Sequence, residues 1–364
     1  MSYFRRSSYS GSAVLDKSLG FWRRSVKGLA PGYFASVMAT GIVSVALWLV
    51  NWRMWSIGFW IVASAMYLVL IVAYGLRLFL EPRAFAQDLM NPVVFFGFFT
   101  FVAGSGVLGS RFIIGGIPGV GVGLGAVATL AWLVLSYWAG YRLLDGNSEP
   151  ASRVVNGTWL LFIVGAQALT VTATLLVPTY PQSAVPLLFF GFCFWGVGVI
   201  FYLAVIFAVM GRLFFSPIHP AETTPPYWIN MGAVAITTLA GAHLVLATPH
   251  MVFLTNVRAF IEGFTVVLWA FGSWWIPLLL IVGWWRHIRG GVSFRYDPAF
   301  WSMVFPLGMY TAATATLSLL PGLRFIHAVV PWGLGAALIA WTFTAVGYLI
   351  HSGRWLRTPS AVAQ

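Results

Sequence analysis

The most informative stretch of the sequence is DPAFWSMVFPLGMYTAATATLSL, at residues 297–319. The stretch begins with an Asp-Pro pair and two aromatic residues, a combination that is typical of a helix start. Pro306 then lies inside an apolar run, and Gly308 and several threonines follow it. Because a proline removes one backbone hydrogen bond, it is tolerated in a membrane only where protein or water satisfies the freed group. The stretch is therefore predicted to be a spanning helix, broken at Pro306, that faces other helices or a water-filled space.

The composition of the whole chain supports a membrane location. Of the 364 residues, 60% are hydrophobic and only 8% are charged, whereas soluble proteins have about a quarter charged residues. The net charge of +12 is spread over predicted loops and tails, which indicates membrane topology rather than nucleic-acid binding. The single cysteine, Cys193, excludes an internal disulfide and is interpreted as a packed thiol.

Ten apolar segments are long enough to cross a bilayer, at about 20 residues each. They lie near 31–50, 54–76, 91–110, 118–140, 157–177, 184–210, 228–248, 262–285, 299–319 and 329–350. A basic tail at 1–30 precedes a membrane domain at 31–351, and a second tail follows at 352–364. Sixteen of the 20 lysine and arginine residues fall on the side of the two tails, so both termini are predicted to be cytoplasmic.

The odd-numbered spans differ from the even-numbered ones. Each odd-numbered span begins with a helix-starting residue and aromatics, at intervals of one helical hairpin, which predicts five quasi-repeated hairpins. Many of the intramembrane hydroxyl and amide groups also lie in the odd-numbered spans, and polar groups avoid lipid. The odd helices are therefore predicted to form an inner pore and the even helices an outer ring. The pore-lining candidates are Thr40, Thr100, Gly104, Gln167, Thr170 and Thr237.

The polar residues of the spans suggest a pathway for anions. No aspartate, lysine or arginine is predicted inside the membrane, and Glu262 is interpreted as a surface ion pair with Arg258. A pore that has hydroxyl donors and no carboxylates suits anions, although ordinary helix packing also uses serine, threonine and glycine. His243 is a candidate vestibule residue, and simple hydrogen bonding is its alternative role. No metal-binding, nucleophile or nucleotide motif is present, so we predict no metal, no cofactor and no enzymatic activity.

Five segments carry a resemblance to a known family. They are PGYFASVMATGIVSVAL at 31–47, FFGFFTFVAGSGVLGSRF at 95–112, NGTWLLFIVGAQAL at 156–169, PPYWINMGAVAITTLAGA at 225–242 and WSMVFPLGMYTAAT at 301–314. Their order and spacing resemble those of the tellurite-resistance/dicarboxylate transporter family, over residues 28–352. That family includes the bacterial TehA-type anion channels and the slow anion channels of plant guard cells.

The resemblance implies an architecture and a gate. It implies a homotrimer in the plasma (bacterial inner) membrane, in which each subunit has a five-helix pore inside five outer helices. The phenylalanine that closes the pore in this family falls on Phe305, just before Pro306. Gly308 and Thr316 share the helix face of Phe305 and join the pore-lining candidates. Ala35 stands where the family pattern leads us to expect glycine, which affects the width of the pore.

The resemblance also implies a function. The expected function is passage of small anions, such as halide, nitrate, sulfite or C4-dicarboxylate, through a pore that Phe305 occludes. One alternative is a proton-coupled C4-dicarboxylate transporter of the malate type, and another is a tellurite or sulfite exporter. Proton coupling needs a titratable group along the path, for which the sequence offers only Glu262 or His243.

Overall fold

The computed structural model describes residue 23 and residues 26–145 and 155–357, and this part of the chain is helical. Its eleven α-helices are α1 (Ala35–Leu49), α2 (Arg53–Leu80), α3 (Pro82–Met90), α4 (Phe99–Ile114), α5 (Pro118–Asp145), α6 (Leu161–Leu176), α7 (Ala184–Phe215), α8 (Ile229–Leu246), α9 (Val252–Trp284), α10 (Trp301–Leu317) and α11 (Val330–Arg357). Most of the predicted tail at 1–30 lies outside the described residues. The predicted tail at 352–364 begins inside α11, which continues to Arg357.

The predicted all-α membrane fold is confirmed. Within the described ranges, nine helical stretches are long and apolar enough to cross a membrane. The remaining predicted span, 299–319, is α10, which has 17 residues and follows a 3-10 turn at Pro298–Phe300. The boundaries differ most at α9, which begins at Val252 rather than near 262. Its 33 residues extend about 50 Å, more than a bilayer core, so the polar first turns need not lie in lipid.

The long helices form two layers. The inner helices are α1, α4, α6, α8 and α10, and each contacts the next in a ring that α10 closes against α1. The outer helices are α2, α5, α7, α9 and α11, and each packs against the inner helix that precedes it. In the stretch that contains α6, 89% of the most apolar window is buried, against 17% in α5. The long helices therefore form an inner bundle surrounded by outer helices, as predicted.

A 3-10 turn precedes every inner helix. These turns are Pro31–Phe34, Phe95–Phe98, Gly157–Leu160, Pro225–Trp228 and Pro298–Phe300, and consecutive turns contact one another. Asp297 starts the last one, because its Oδ1 accepts a hydrogen bond of 2.8 Å from the N–H of Ala299. The third and fourth turns meet so closely at Gly157 that a Cβ there would lie 2.1 Å from the carbonyl oxygen of Pro226. The turns thus hold one end of the inner bundle together, while the quasi-repeat itself stays a prediction.

Two interpretations of single residues are corrected here. A helix break was predicted at Pro306, but α10 continues through this proline without interruption. Pro306 is only the sixth residue of α10, and its ring packs against α8, where a Cβ on Gly232 would lie 2.8 Å from Pro306 Cγ. Cys193 is exposed on the outer helix α7 rather than packed.

The interpretation of Glu262 as part of a surface ion pair is confirmed. Its Oε2 lies 3.5 Å from Arg258 Nε on the outer helix α9, and both side chains are partly exposed.

Candidate functional site

A cavity of about 150 Å³ lies among the C-terminal halves of the inner helices. We refer to it as the central cavity. All five inner helices contribute at least two residues to its wall, and the outer helices, as far as they are described, contribute none. The lining residues are Ile42, Val45, Trp48, Leu49, Val107, Ser110, Ile114, Ala168, Val171, Leu175, Ile236, Leu239, His243, Met309 and Thr316.

The wall of the central cavity is mostly apolar. Its polar side chains are Ser110, His243, Thr316 and Trp48, and the lining residues include no carboxylate. The hydroxyl of Ser110 lies 3.2 Å from that of Thr172, which donates to the carbonyl oxygens of its own helix and of α4. Such a wall offers a few hydrogen-bond donors and no negative charge, which suits an anion better than a cation.

Phe305 lies one turn of α10 before Met309, the first residue of that helix to line the central cavity. Its side chain is completely buried in the inner bundle. It precedes Met309 by one turn of α10 and Thr316 by three turns, so all three residues lie on the same face of that helix. Because Met309 and Thr316 line the cavity, that face is directed toward the centre of the bundle. The close contact of Pro306 with α8 lies at the same level, where the bundle is tightly packed.

Of the predicted pore-lining and vestibule residues, only Thr316 and His243 line the central cavity. Two of the others face the outer helix α7. Gln167 Nε2 donates to the carbonyl oxygen of Trp195 at 3.2 Å, and Thr170 Oγ1 donates to that of Gly191 at 2.9 Å. These side chains hold an inner helix against an outer one, which is a common use of polar groups in membrane helices.

The other predicted hydroxyls are also engaged between or within helices. Thr40 Oγ1 accepts a hydrogen bond of 3.0 Å from Nε1 of Trp341 on the outer helix α11. Thr100 Oγ1 donates to the carbonyl oxygen of Gly97 at 2.7 Å, and Thr237 Oγ1 donates to that of Ala233 at 2.7 Å. Hydroxyls in helices commonly bond to a preceding carbonyl in this way, so a polar residue in an inner helix need not face the centre.

The two predicted pore-lining glycines lie where helices approach closely. A Cβ on Gly308 would lie 2.9 Å from Cγ2 of Ile42, and a Cβ on Gly104 would lie 3.4 Å from the carbonyl oxygen of Phe34. Gly308 therefore allows α1 to pack closely against α10, and Gly104 allows the turn before α1 to pack closely against α4.

The sequence placed Arg111 just outside the predicted span at 91–110, but the structure places it inside the helix and the protein interior. Arg111 lies in the last turn of α4 and is completely buried. Its Nε donates to Ser44 Oγ at 2.8 Å, and its Nη2 donates to Ser56 Oγ at 3.0 Å. The sequence does contain a signal, because the apolar residues at 112–114 continue the helix past the arginine. The apolar run was predicted to end too early.

The hydroxyls of two serines accept the hydrogen bonds of this guanidinium. Ser44 Oγ donates to the carbonyl oxygen of Ser56, and Ser56 Oγ donates to that of Ser44, each at 2.6 Å. Since both hydroxyl protons point to carbonyls, the lone pairs of the oxygens are available to accept the N–H groups of Arg111. The site thus joins α4 to the hairpin of α1 and α2.

Two tryptophan rings complete the surroundings of Arg111. The guanidinium carbon of Arg111 lies 4.7 Å from the centroid of Trp48 and 4.5 Å from that of Trp60, within the range of cation–π attraction. A second guanidinium, that of the exposed Arg53, lies 3.5 Å from the centroid of Trp48.

Sequence reasoning found neither Trp48 nor Ser110, because one sequence does not show which helix face points to the centre.

Comparison with known proteins gives a family match over most of the chain. The family model SLAC1, described as a voltage-dependent anion channel, matches residues 28–349. The chain is similar to an uncharacterized membrane protein of Mycobacterium tuberculosis H37Rv, with 43% identity over 151 residues, which is 41% of this chain and 76% of the relative. It is also similar to two proteins of Methanocaldococcus jannaschii named as uncharacterized transporters. The identities are 25% and 24% over 299 residues, which is 79% of this chain and 83% and 84% of the relatives.

Proposed function

The chain belongs to the SLAC1 family, which is the tellurite-resistance/dicarboxylate transporter family, and we propose that it conducts small anions along the axis of its inner bundle, with Phe305 as the gate. Membership makes the chain a membrane transporter or channel, in a family that consists of transporters and channels rather than enzymes. The proposal adds the path, the gate and the class of anion.

One observation carries the proposal. The central cavity is lined by all five inner helices. Phe305 lies on the cavity-facing side of α10, one turn before the lining residue Met309. A buried aromatic ring at the end of an axial cavity is a hydrophobic constriction, which blocks hydrated ions by excluding water. The cavity would then be the part of the pathway on one side of a closed gate.

The wall chemistry favours small monovalent anions such as halide or nitrate. The lining residues present hydroxyl, indole and imidazole groups but no lysine, arginine or carboxylate. A dianion loses more hydration energy than a monovalent anion, and a wall with few donors replaces little of it. Sulfite, tellurite and C4-dicarboxylates therefore rank below halide and nitrate as substrates.

The decisive experiment is a current recording from purified protein in planar bilayers under a chloride gradient. The wild type is expected to be nearly silent, and Phe305→Ala should raise an anion-selective current about tenfold or more, because the constriction loses its ring. Phe207→Ala is the matched control. Phe207 lies on the outer helix α7 with 71% of its surface exposed, so its replacement should leave the current at the wild-type level.

Two results would contradict the proposal. A cation-selective current through Phe305→Ala would exclude the anion pathway. A silent Phe305→Ala variant that is correctly folded would exclude the gate and would lead to assays of coupled uptake.

A proton-coupled C4-dicarboxylate transporter is the second candidate, because a titratable group, His243, lines the central cavity. Glu262 is less suitable, since it is paired with Arg258 on an outer helix. In proteoliposomes with a pH gradient, His243→Gln should abolish uptake of labelled malate if the transporter is coupled. Under the channel proposal, the same variant still conducts chloride.

The assembly and the orientation are further parts of the proposal. The outer helices present apolar surface on most of their length, which suits lipid and contacts between subunits of a homotrimer in a bacterial inner membrane. Cytoplasmic termini follow from the distribution of lysine and arginine. The C-terminal ends of the inner helices, and with them the central cavity, would then face the opposite side of the membrane.

A further inference from the structure

Arg111 is a buried charge without a counter-ion among the described residues. Its hydrogen-bond acceptors are the hydroxyls of two serines, and its aromatic neighbours are neutral. None of the ion pairs within the described ranges includes Arg111. Its Nη1 is buried and has no hydrogen-bond partner. A full positive charge is therefore held in the protein interior without neutralisation.

This charge lies directly behind the wall of the central cavity. Ser110, the preceding residue of α4, lines the cavity, and so does Ile114 on the following turn. Trp48 also lines the cavity, and the guanidinium carbon of Arg111 lies 4.7 Å from the centroid of the Trp48 ring. The guanidinium of Arg111 is therefore in contact with a residue of the cavity wall.

A purely structural role explains the contacts of Arg111 but not its charge. A neutral amide such as glutamine could also donate to one or both serine hydroxyls, at a much smaller cost of desolvation. Burial of an uncompensated charge is expensive, and ionisable groups inside a membrane domain commonly mark ion pathways. Arg53 adds a second positive charge over the same ring. Both charges thus lie beside Trp48, a residue of the cavity wall.

We propose that Arg111, assisted by Arg53, is an electrostatic selectivity element that draws small inorganic anions into the central cavity beside Trp48 and Ser110 and repels cations. The inference rests on the proposed anion pathway and names the residues that determine its selectivity. Arg111 need not touch the anion, because the field of a buried charge is weakly screened by salt and extends through a low-dielectric wall. The expected ligand is a halide or a similar monovalent anion.

The test measures reversal potentials under a salt gradient, with every variant built on Phe305→Ala. Arg111→Gln should lower the ratio of anion to cation permeability about tenfold, because loss of the charge removes its attraction for anions. Arg111→Lys should keep the ratio within about twofold, since it retains the charge. Arg53→Gln should cause a smaller drop in the same direction. Arg324→Gln removes an exposed charge at the same end of the bundle and should change nothing.

Equal permeability ratios for Arg111→Gln and Arg111→Lys would overturn the inference. If Arg111→Gln does not yield a monodisperse protein, Arg53→Gln decides the question. Arg53 is exposed, and its replacement leaves the hydrogen bonds of Arg111 to Ser44 and Ser56 intact. An unchanged ratio in Arg53→Gln would then count against the inference, and a lowered ratio would support it.

A second measurement is independent of the gate. Crystals of the wild type grown in bromide should show an anomalous peak in the central cavity next to Trp48, and crystals of Arg111→Gln, or of Arg53→Gln where the former does not fold, should show a weaker peak or none. Equal peaks, or no peak in the wild type, would overturn the inference. A bromide peak that is present in the wild type and lost in the arginine variant would support the selectivity element. If Phe305→Ala also carried no current, the proposed gate would be rejected while the selectivity element remained supported.

Discussion

The inner helix α6 and the outer helix α5 are nearly equal in mean hydropathy but opposite in environment. In the stretch that contains α6, 89% of the most apolar window is buried in the protein, and in α5 only 17% is buried. Hydropathy identifies both as membrane helices, since it measures the preference for an apolar medium. It does not distinguish lipid from protein as that medium. The difference between the two layers must therefore come from other features.

Close approach and polar cross-links mark the faces of helices that contact protein, and the inner helices are buried over most of their surface. Inner glycines such as Gly157 and Gly232 stand where a Cβ would collide with a neighbouring segment, whereas Gly140 on α5 has open space around it. Inner hydroxyls such as that of Thr170 bond to another helix, whereas the exposed Thr342 on α11 bonds only to its own helix. Substitutions at these positions and at Cys193 sharpen the comparison of the two layers.

The largest effect is expected from a methyl group at the start of an inner helix. Gly157→Ala should destabilise the protein by about 3 kcal/mol or more, because the new Cβ would lie 2.1 Å from the carbonyl oxygen of Pro226. Gly140→Ala, on the outer helix α5, should stabilise it by up to about 1 kcal/mol through helix propensity. Thermal unfolding in detergent, followed by tryptophan fluorescence, measures both. Equal melting temperatures would break the distinction between the layers.

A moderate effect is expected from removal of a link between the layers. Thr170→Val deletes the hydrogen bond to the carbonyl oxygen of Gly191 on α7 and should cost about 0.6–1.7 kcal/mol, the range for such bonds in membrane proteins. Thr342→Val on the exposed face of α11 should change stability by less than about 0.5 kcal/mol. Urea or heat unfolding of the two variants would reveal the difference, and an equal loss in both would contradict it.

The smallest effect is expected at the only cysteine. Cys193→Ser should leave stability within about 0.5 kcal/mol of the wild type, because the thiol is exposed on the outer helix α7. Cys193 should also react readily with a lipid-soluble maleimide, and the reaction should leave chloride currents unchanged. Protection of Cys193 in the folded protein would show that another surface covers this face of α7, as a trimer contact would.

The class of fold and the order of its helices could be predicted from the sequence. The apolar segments placed all ten long helices, and the alternation of polar and apolar spans assigned them to two layers. The helix start at Asp297 and the ion pair between Arg258 and Glu262 followed from local spacing. These features depend on neighbours within one or two turns, so the sequence carries them directly.

The side chains that meet at the centre of the bundle could not be predicted from the sequence. Seven of the predicted pore-lining residues lie away from the wall of the central cavity, while Trp48 and Ser110 lie on it. The predicted span at 91–110 ends just before Arg111, yet Arg111 is buried between residues that lie 67 and 55 positions away in the chain. The rotation of each helix about its axis depends on contacts with several other helices at once, and no local pattern in one sequence records it.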